Sequence, residues 1–216
     1  MNNKTALLIG ATGLIGNHCL ELLLNHDSYS LVKIFIRKDI PLEHPRLKKF
    51  IINFDDASKY AHEFICDDVY CCLGTTKKKA GSQALVKKID HDYPLEFAQL
   101  AKAQGAKQFL LVSSLGAKIN SANFYLRIKG QLEEALKRIG FTRLIILRPS
   151  FLLGERKEFR LGENIGKFVL FFIAPLMLGF ARKYRPIEGK KVAEFMLKTA
   201  SQNTSGTFIF ESDKIG

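Results

Sequence analysis

A tyrosine and a lysine stand four residues apart, at Tyr125 and Lys129, in a segment whose pattern predicts a helix. That spacing returns both side chains to one helix face, so they can point into the same site. A free phenol has a pKa of about 10, and a neighbouring ammonium group favours its ionised form. The pair is therefore suited to moving a proton to or from a substrate oxygen.

Two serines precede this pair at the end of a predicted strand, at Ser113 and Ser114. A hydroxyl donor at that place would orient the substrate oxygen beside the tyrosine. We favour Ser114 for this role, and Ser113 stays open as the alternative. Lys129 is also suited to holding the ribose hydroxyls of a nicotinamide cofactor.

The chain begins with a glycine-rich turn, in which Gly10, Gly13 and Gly16 follow an apolar run and precede a helical pattern. In such a turn one glycine allows the tight bend, another lets the backbone approach a phosphate, and the third lets helix and strand pack closely. The helix N-terminus offers free N–H groups to an anion, and Thr12 can add a hydroxyl. The turn therefore predicts binding of a dinucleotide pyrophosphate.

The residue at the end of the second strand indicates which dinucleotide is preferred. An acidic residue about 20 positions beyond the turn usually holds the ribose of NAD, but Arg37 stands there, followed by Lys38. A guanidinium group binds a 2′-phosphate through charge-assisted hydrogen bonds. We therefore expect NADP as the cofactor, and the nearby Asp39 keeps NAD as the alternative.

Short apolar runs alternate with amphipathic segments, which indicates repeated βα units and a parallel sheet. We predict the α/β class: a Rossmann-like, doubly wound, mostly parallel sheet of about seven strands, with a small C-terminal helical segment on the substrate side. The length favours one domain, 1–216, with 154–186 as a lid insertion. Pro94 predicts a kink or a break near Asp92 in the long helix predicted at 83–104. The predicted strands are 5–9, 31–37, 50–54, 68–73, 108–113, 141–147 and 207–210, and the predicted helices are 13–26, 83–104, 123–139 and 190–200.

Composition narrows the partners and the compartment. The net charge is +12, but the cations are scattered except at 77–79, which disfavours nucleic acid and fits a cofactor with an extra phosphate. The four cysteines contain no CxxC pair and the five histidines show no metal-ligand spacing, so we expect reduced thiols and no metal. With no secretory signal pattern at the N-terminus, a cytoplasmic protein is expected.

An apolar run at 168–181 contains Pro175 and is shorter than the roughly 20 residues of a membrane span. We interpret it as a buried or dimer-facing helix that covers a pocket. Peripheral membrane contact or partner binding through this run is the alternative.

The motifs together resemble the atypical branch of the short-chain dehydrogenase/reductase superfamily, and within it the Tat-interacting, CC-three-like oxidoreductase-like proteins. The resemblance extends from about Thr5 to about Gly162. The segments that carry it are Cys71-Cys-Leu-Gly-Thr-Thr76, Lys79-Ala-Gly81, Ser113-Ser114 with Gly116-Ala117, Tyr125-Leu-x-x-Lys129-Gly130 and Leu147-Arg-Pro149.

The resemblance implies a role for each matching position. Tyr125 and Lys129 take the catalytic places, and Arg37 takes the 2′-phosphate. Asn53 stands where the family has an aspartate facing the adenine amine, and its carbonyl still accepts a hydrogen bond. The pyrophosphate would be held by Gly10, Thr12, Gly13, Leu14 and Ile15, the adenosine and ribose by Leu73, Gly74 and Thr75, and the nicotinamide by Pro149, Ser150, Phe151 and Leu152.

These residues predict an NAD(P)H-dependent oxidoreductase that transfers hydride to a carbonyl or from an alcohol of a small-molecule substrate, with Tyr125 as acid/base. Members of this branch are also described as regulators, so an NADPH-binding sensor with little turnover is the alternative. A membrane-peripheral adaptor acting through 168–181 is a third hypothesis. A monomer and a homodimer are both compatible with the sequence.

Overall fold

Seven strands form one parallel sheet in the computed structural model of the chain, which describes residues 3–153 and 179–216. The strands in the described residues are β1 (Lys4–Ile9), β2 (Tyr29–Ile36), β3 (Leu47–Ile51), β4 (Asp68–Cys71), β5 (Gln108–Val112), β6 (Arg143–Arg148), β7 (Leu152–Leu153), β8 (Ile187–Glu188) and β9 (Gly206–Glu211). The order in the large sheet is β3-β2-β1-β4-β5-β6-β9, and the short strands β7 and β8 pair separately.

Helices cover both faces of the large sheet. The α-helices are α1 (Leu14–Leu24), α2 (Lys77–Ala80), α3 (Gln83–Lys87), α4 (Tyr93–Ala103), α5 (Phe124–Ile139), α6 (Gly189–Ala200) and α7 (Ser212–Ile215). Within the described residues, two 3₁₀ segments lie at Phe54–Phe64 and Gly179–Tyr184, and a π-helical turn at Lys88–Asp92 separates α3 from α4.

The alternation of side chains along each strand builds two cores. Leu8 of β1 packs with α1 and α6 on one face, whereas Leu7 and Ile9 pack with α4, α5 and the Phe54–Phe64 segment on the other. The strand order reverses between β1 and β4, where doubly wound sheets bind ligands at the carboxyl ends of their strands. The predicted fold class is confirmed.

The structure shifts the bounds of several predicted elements by one to three residues, and it confirms a break in a predicted helix. The third strand is Leu47–Ile51 rather than 50–54, because Asn53 caps the following 3₁₀ segment and Phe54 already belongs to it. The helix predicted at 83–104 is broken where Pro94 led us to expect a kink, and the π turn Lys88–Asp92 lies there.

The lid insertion at 154–186 and the apolar run at 168–181 fall largely outside the described residues, and both stay predictions. Within 3–153 and 179–216, no helix is long and apolar enough to cross a membrane. The same ranges contain no group of three or more histidine, cysteine or acidic side chains that could hold a metal ion.

Candidate functional site

The glycine turn joins β1 to α1 and leaves no room for side chains. Gly10 has φ of +86°, and a Cβ there would lie 2.7 Å from the carbonyl carbon of Cys72. A Cβ on Gly16 would overlap the carbonyl oxygen of Gly10. The α1 N-cap, Gly13, makes no side-chain capping bond, and the first turn carries no acidic residue. The turn therefore offers a close-packed helix N-terminus to an anion, as a dinucleotide pyrophosphate requires.

Local sequence sets the position of the helix that carries the tyrosine and the lysine. Asn123 caps α5 by accepting a hydrogen bond from the Leu126 amide (3.2 Å), and Gly140 ends it with φ of +74°. Gly130 allows close approach to the preceding loop, because a Cβ there would lie 2.5 Å from the Ile119 amide nitrogen. The predicted bounds of this helix are confirmed.

The two side chains do meet on one helix face. The Lys129 ammonium nitrogen lies 5.9 Å from the centre of the Tyr125 ring. Tyr125 is partly buried, whereas the Lys129 side chain is only 1% exposed. An ammonium group removed from water needs a compensating anion.

Asp90, on the π turn, supplies that anion and was missed by sequence reasoning. Its Oδ1 lies 3.0 Å from Lys129 Nζ, and its Oδ2 accepts a hydrogen bond from the Thr75 amide at 2.9 Å. The side chain is fully buried. The kink expected from Pro94 was the one signal in the sequence that pointed to this place.

Electrostatics at Lys129 are a balance of two opposing effects. Burial lowers the pKa of the ammonium group, because the charged form loses its water. Burial is the largest single influence, but the Asp90 carboxylate, Tyr125 and Cys71 together outweigh it and raise the Lys129 pKa above its ordinary value. Lys129 is therefore charged at neutral pH.

The two serines differ in what their hydroxyls contact. Ser113 is buried, and its hydroxyl donates to the Glu133 carboxylate at 2.5 Å. Glu133 in turn accepts two hydrogen bonds from Arg148, at 3.1 and 2.6 Å. Ser114 is partly exposed, and its hydroxyl has a long contact of 3.4 Å to the carbonyl of Leu115. Ser114 is thus the more accessible hydroxyl, and the choice between the two stays a prediction.

Arg37 lies just past the end of β2, with its side chain exposed and its guanidinium carbon 5.9 Å from the centre of the Phe54 ring. The competing acid, Asp39, is engaged elsewhere: it lies 3.1 Å from Lys49 Nζ and accepts the Ile40 amide at 2.8 Å. The hydrogen bond from Lys49 lowers the pKa of Asp39. Asp39 is therefore a carboxylate already paired with a cation.

Asn53 has a local role that the sequence did not reveal. Its side-chain oxygen accepts the Asp55 amide at 3.2 Å and so caps the Phe54–Phe64 segment. An amide oxygen has two lone pairs, so this bond leaves one acceptor position for an adenine amine.

The remaining predicted cofactor residues follow β4 and β6. Leu73 and Thr75 are partly buried and Gly74 is exposed. Beyond β6, backbone bonds continue the pairing with β5: the Leu115 amide donates to the Pro149 carbonyl at 3.0 Å. The serine pair and Pro149 are therefore neighbours.

The three residues that follow Pro149 have different surroundings. The Ser150 hydroxyl donates to the Arg185 carbonyl and lies 3.0 Å from the Ser212 hydroxyl, so both of these contacts are to groups of the protein itself. Phe151 is 64% exposed. Leu152 is partly buried and packs against the core on the α1 side.

The site as a whole lies at the carboxyl edge of the sheet. The glycine turn packs against Cys72 and Leu73, and Asp90 links Lys129 to Thr75 in the same loop. The residues predicted to hold a dinucleotide and those predicted to move a proton thus adjoin one another. The tight glycine turn and the exposed cation at Arg37 suit the phosphates of such a cofactor.

Known proteins similar to this chain come from animals and fungi. Protein HTATIP2 of Rattus norvegicus is 38% identical over 171 residues, which cover 77% of this chain and 70% of that protein. Protein FMP52, mitochondrial, of Candida albicans is 31% identical over 208 residues, covering 94% and 90%. The sequence profile of the HIM1 family matches residues 64–168.

Solved structures with this fold include one that holds a nicotinamide dinucleotide. WbmH of Bordetella bronchiseptica, in complex with NAD⁺, superimposes with a TM-score of 0.71 at 17% identity, covering 97% of this chain and 75% of that one. A short chain dehydrogenase family protein of Francisella tularensis gives a TM-score of 0.69 at 15% identity, covering 97% and 98%. At such identities the likeness shows the fold alone.

The expectation of a cytoplasmic protein is wrong. FMP52 of Candida albicans and of Emericella nidulans are both named mitochondrial. Cysteine usage distinguishes oxidising compartments from reducing ones. Cysteine usage does not distinguish the cytoplasm from another compartment in which thiols stay reduced.

Proposed function

Because this chain belongs to the family of HTATIP2 and FMP52, we propose that it is an NADP-dependent oxidoreductase acting on a carbonyl or an alcohol of a small molecule. The observation that carries the proposal is the buried contact of Lys129 with Asp90, which is bonded in turn to Thr75. It ties the Tyr125–Lys129 face of α5 to the loop beside the glycine turn. Proton transfer and dinucleotide binding thereby share one edge of the sheet.

The roles of the side chains follow from this arrangement. A bound NADPH supplies the hydride. In the reductive direction Tyr125 gives its phenolic proton to the carbonyl oxygen, and in the oxidative direction the phenolate takes it from the alcohol. Ser114 donates a hydrogen bond that orients the same oxygen, and Lys129 holds the nicotinamide ribose hydroxyls.

The preference for NADP rests on two charges beyond β2. Arg37 is exposed and available to a 2′-phosphate, whereas the Asp39 carboxylate is paired with Lys49 at 3.1 Å. A free carboxylate at this place would repel a phosphate and accept ribose hydroxyls. Pairing weakens that competing preference for NAD.

A second candidate function is a dinucleotide sensor with little turnover, and one observation favours it. The Asp90 carboxylate compensates the charge of Lys129 at 3.0 Å. A compensated cation stabilises a nearby phenolate less than an isolated one does. The same site would then bind the dinucleotide well and activate Tyr125 weakly.

Calorimetric titration with NADPH and NADH, followed by NADPH oxidation over a panel of carbonyl compounds, tests the proposal. For an enzyme we expect Tyr125→Phe to lower kcat at least about 100-fold while the dinucleotide Kd changes less than about threefold. Tyr60→Phe is the control, because Tyr60 lies in the Phe54–Phe64 segment, outside the predicted site, and packs against the apolar core. Tight binding without turnover on any compound supports the sensor. Absence of binding to either dinucleotide contradicts both functions.

A further inference from the structure

Asp90 combines complete burial with one oxygen that lacks a hydrogen bond. Its Oδ2 accepts the Thr75 amide, but Oδ1 has no hydrogen-bond partner although Lys129 Nζ lies 3.0 Å away. Oδ1 also faces the Leu73–Thr75 loop, because a Cβ on Gly74 would lie 3.3 Å from it. A buried carboxylate with a spare acceptor position is expensive to maintain for stability alone.

The backbone around Asp90 is irregular in a way that places this carboxylate. The Tyr93 amide bonds to the carbonyl of Lys88, five residues earlier, which defines the π turn between α3 and α4. Such single π turns occur frequently at functional sites. Asp90 lies inside the turn, between α5 and the loop that follows β4.

We propose that Asp90 is a positioning residue of the dinucleotide site, which keeps the buried Lys129 ammonium group charged and fixes it relative to the Leu73–Thr75 loop. The inference rests on the proposed function, since it assigns Lys129 to the cofactor ribose. It adds a residue that acts through Lys129 and Thr75 rather than through direct contact with substrate.

The groups that face Lys129 identify Asp90 as the source of the compensation. Asp90 approaches from the π turn, Tyr125 from the same helix and Cys71 from β4. Burial raises the pKa of Cys71 to about 12, so this thiol is neutral. Of these three groups, Asp90 brings the negative charge that offsets desolvation of the ammonium group.

Asp90→Asn separates charge from shape, because an amide keeps the size and can still accept the Thr75 amide. Without the carboxylate, burial should bring the Lys129 pKa below its ordinary value. NADPH affinity of D90N should then fall about tenfold between about pH 7 and about pH 9.5, as the amine loses its proton. The NADPH affinity of the parent protein should change less than about threefold over that pH range.

Asp92→Asn is the matched control. Asp92 lies in the same π turn, contacts His91 at 2.7 Å and Lys87 at 3.3 Å, and is 45% exposed. D92N should therefore follow the pH profile of the parent. A folded D90N whose NADPH affinity is as independent of pH as that of D92N would refute the inference.

Urea unfolding without any dinucleotide tests the same inference apart from the proposed function. A lysine whose folded pKa lies below its unfolded pKa destabilises the fold at lower pH, so stability rises as pH increases towards the unfolded value. The urea midpoint of D90N should rise by about 0.5 M between about pH 7 and about pH 9.5, relative to D92N. If the parent binds no dinucleotide and this rise still occurs, the proposed function fails and the charge role of Asp90 stands.

If the D90N protein does not fold, a double variant tests the inference. Adding Lys129→Met removes the uncompensated ammonium group and should restore cooperative unfolding. Failure of the double variant to fold would show that the uncompensated charge of Lys129 is not what unfolds D90N, and would overturn the inference.

Discussion

Buried carboxylates lie at both edges of the sheet, but their surroundings differ. At the amino edge, Asp68 accepts the Tyr29 hydroxyl at 2.7 Å and Lys4 Nζ at 3.1 Å, and Tyr29 contacts the Tyr70 hydroxyl at 2.8 Å. Burial raises the pKa of both phenols, so they remain neutral hydrogen-bond donors. At the carboxyl edge, Asp90 meets the fully buried Lys129 and keeps Oδ1 without a hydrogen bond.

The difference is between a fully hydrogen-bonded network and a buried ion pair in which one carboxylate oxygen has no hydrogen bond. Among the described residues, the buried side-chain atoms without a hydrogen-bond partner include Asp90 Oδ1 and Arg143 Nε, and none belongs to the Tyr29–Asp68 network. A fully satisfied buried network rigidifies the structure around it. The Asp90 carboxylate instead faces the Lys129 ammonium group, which it keeps charged in the role that we propose for it.

Removal of Lys129 should have the largest effect. Lys129→Met leaves the Asp90 charge buried without a partner, and we expect the free energy of unfolding to fall by about 3–5 kcal/mol. Lys4→Met, the comparison at the amino edge, should cost at most about 1 kcal/mol, because that pair is partly exposed and Tyr29 still bonds to Asp68. Urea unfolding at neutral pH measures both. Equal losses at the two edges would contradict the distinction.

Gly10→Ala should have the next largest effect. It combines an unfavourable φ of +86° with a Cβ 2.7 Å from the Cys72 backbone, and we expect a loss of about 3 kcal/mol and of NADPH binding. Gly105→Ala is matched in φ, at +91°, but meets nothing within 4 Å, so about 1 kcal/mol is expected with binding unchanged. Thermal unfolding and calorimetric titration of both variants provide the test. A G10A protein that binds NADPH as the parent does would exclude this turn as the phosphate site.

Tyr29→Phe should reduce stability without affecting the cofactor. Loss of the hydroxyl removes the bonds to Asp68 and Tyr70, and we expect a cost of about 1–2 kcal/mol. The Kd for NADPH should stay within about twofold of the parent, because the network lies at the opposite edge from the glycine turn. A marked change in affinity would mean that the two edges are coupled.

The smallest expected effect concerns Arg37 and sharpens the cofactor assignment. Arg37→Ala should weaken NADPH about tenfold, equivalent to about 1.4 kcal/mol, and leave NADH within about twofold. Lys38→Ala, at the next exposed cation, should change both dinucleotides little. Competition binding at constant ionic strength provides the measurement. A parallel loss for NADPH and NADH in R37A would assign Arg37 to a general electrostatic role.

Several elements could be predicted because local physics determines them. The G-x-x-G-x-x-G turn between an apolar run and a helical pattern needs no distant partner to be recognised. The α5 helix begins after a capping asparagine and ends at a glycine with positive φ, and both ends were predicted correctly. The third strand was misplaced because Phe50 to Phe54 is apolar except at Asn53, although the strand ends at Ile51 and a 3₁₀ segment follows.

The sequence alone therefore determined the order of strands and helices, the glycine turn and the shared face of Tyr125 and Lys129, since these depend on residues close together in the chain. Only the tertiary structure decided that Asp90 pairs with Lys129, that Ser113 donates to Glu133 and that Asp39 is paired with Lys49. Such pairs form when the folded sheet brings distant segments together and removes their charges from water. No local pattern records which partner each charge will meet.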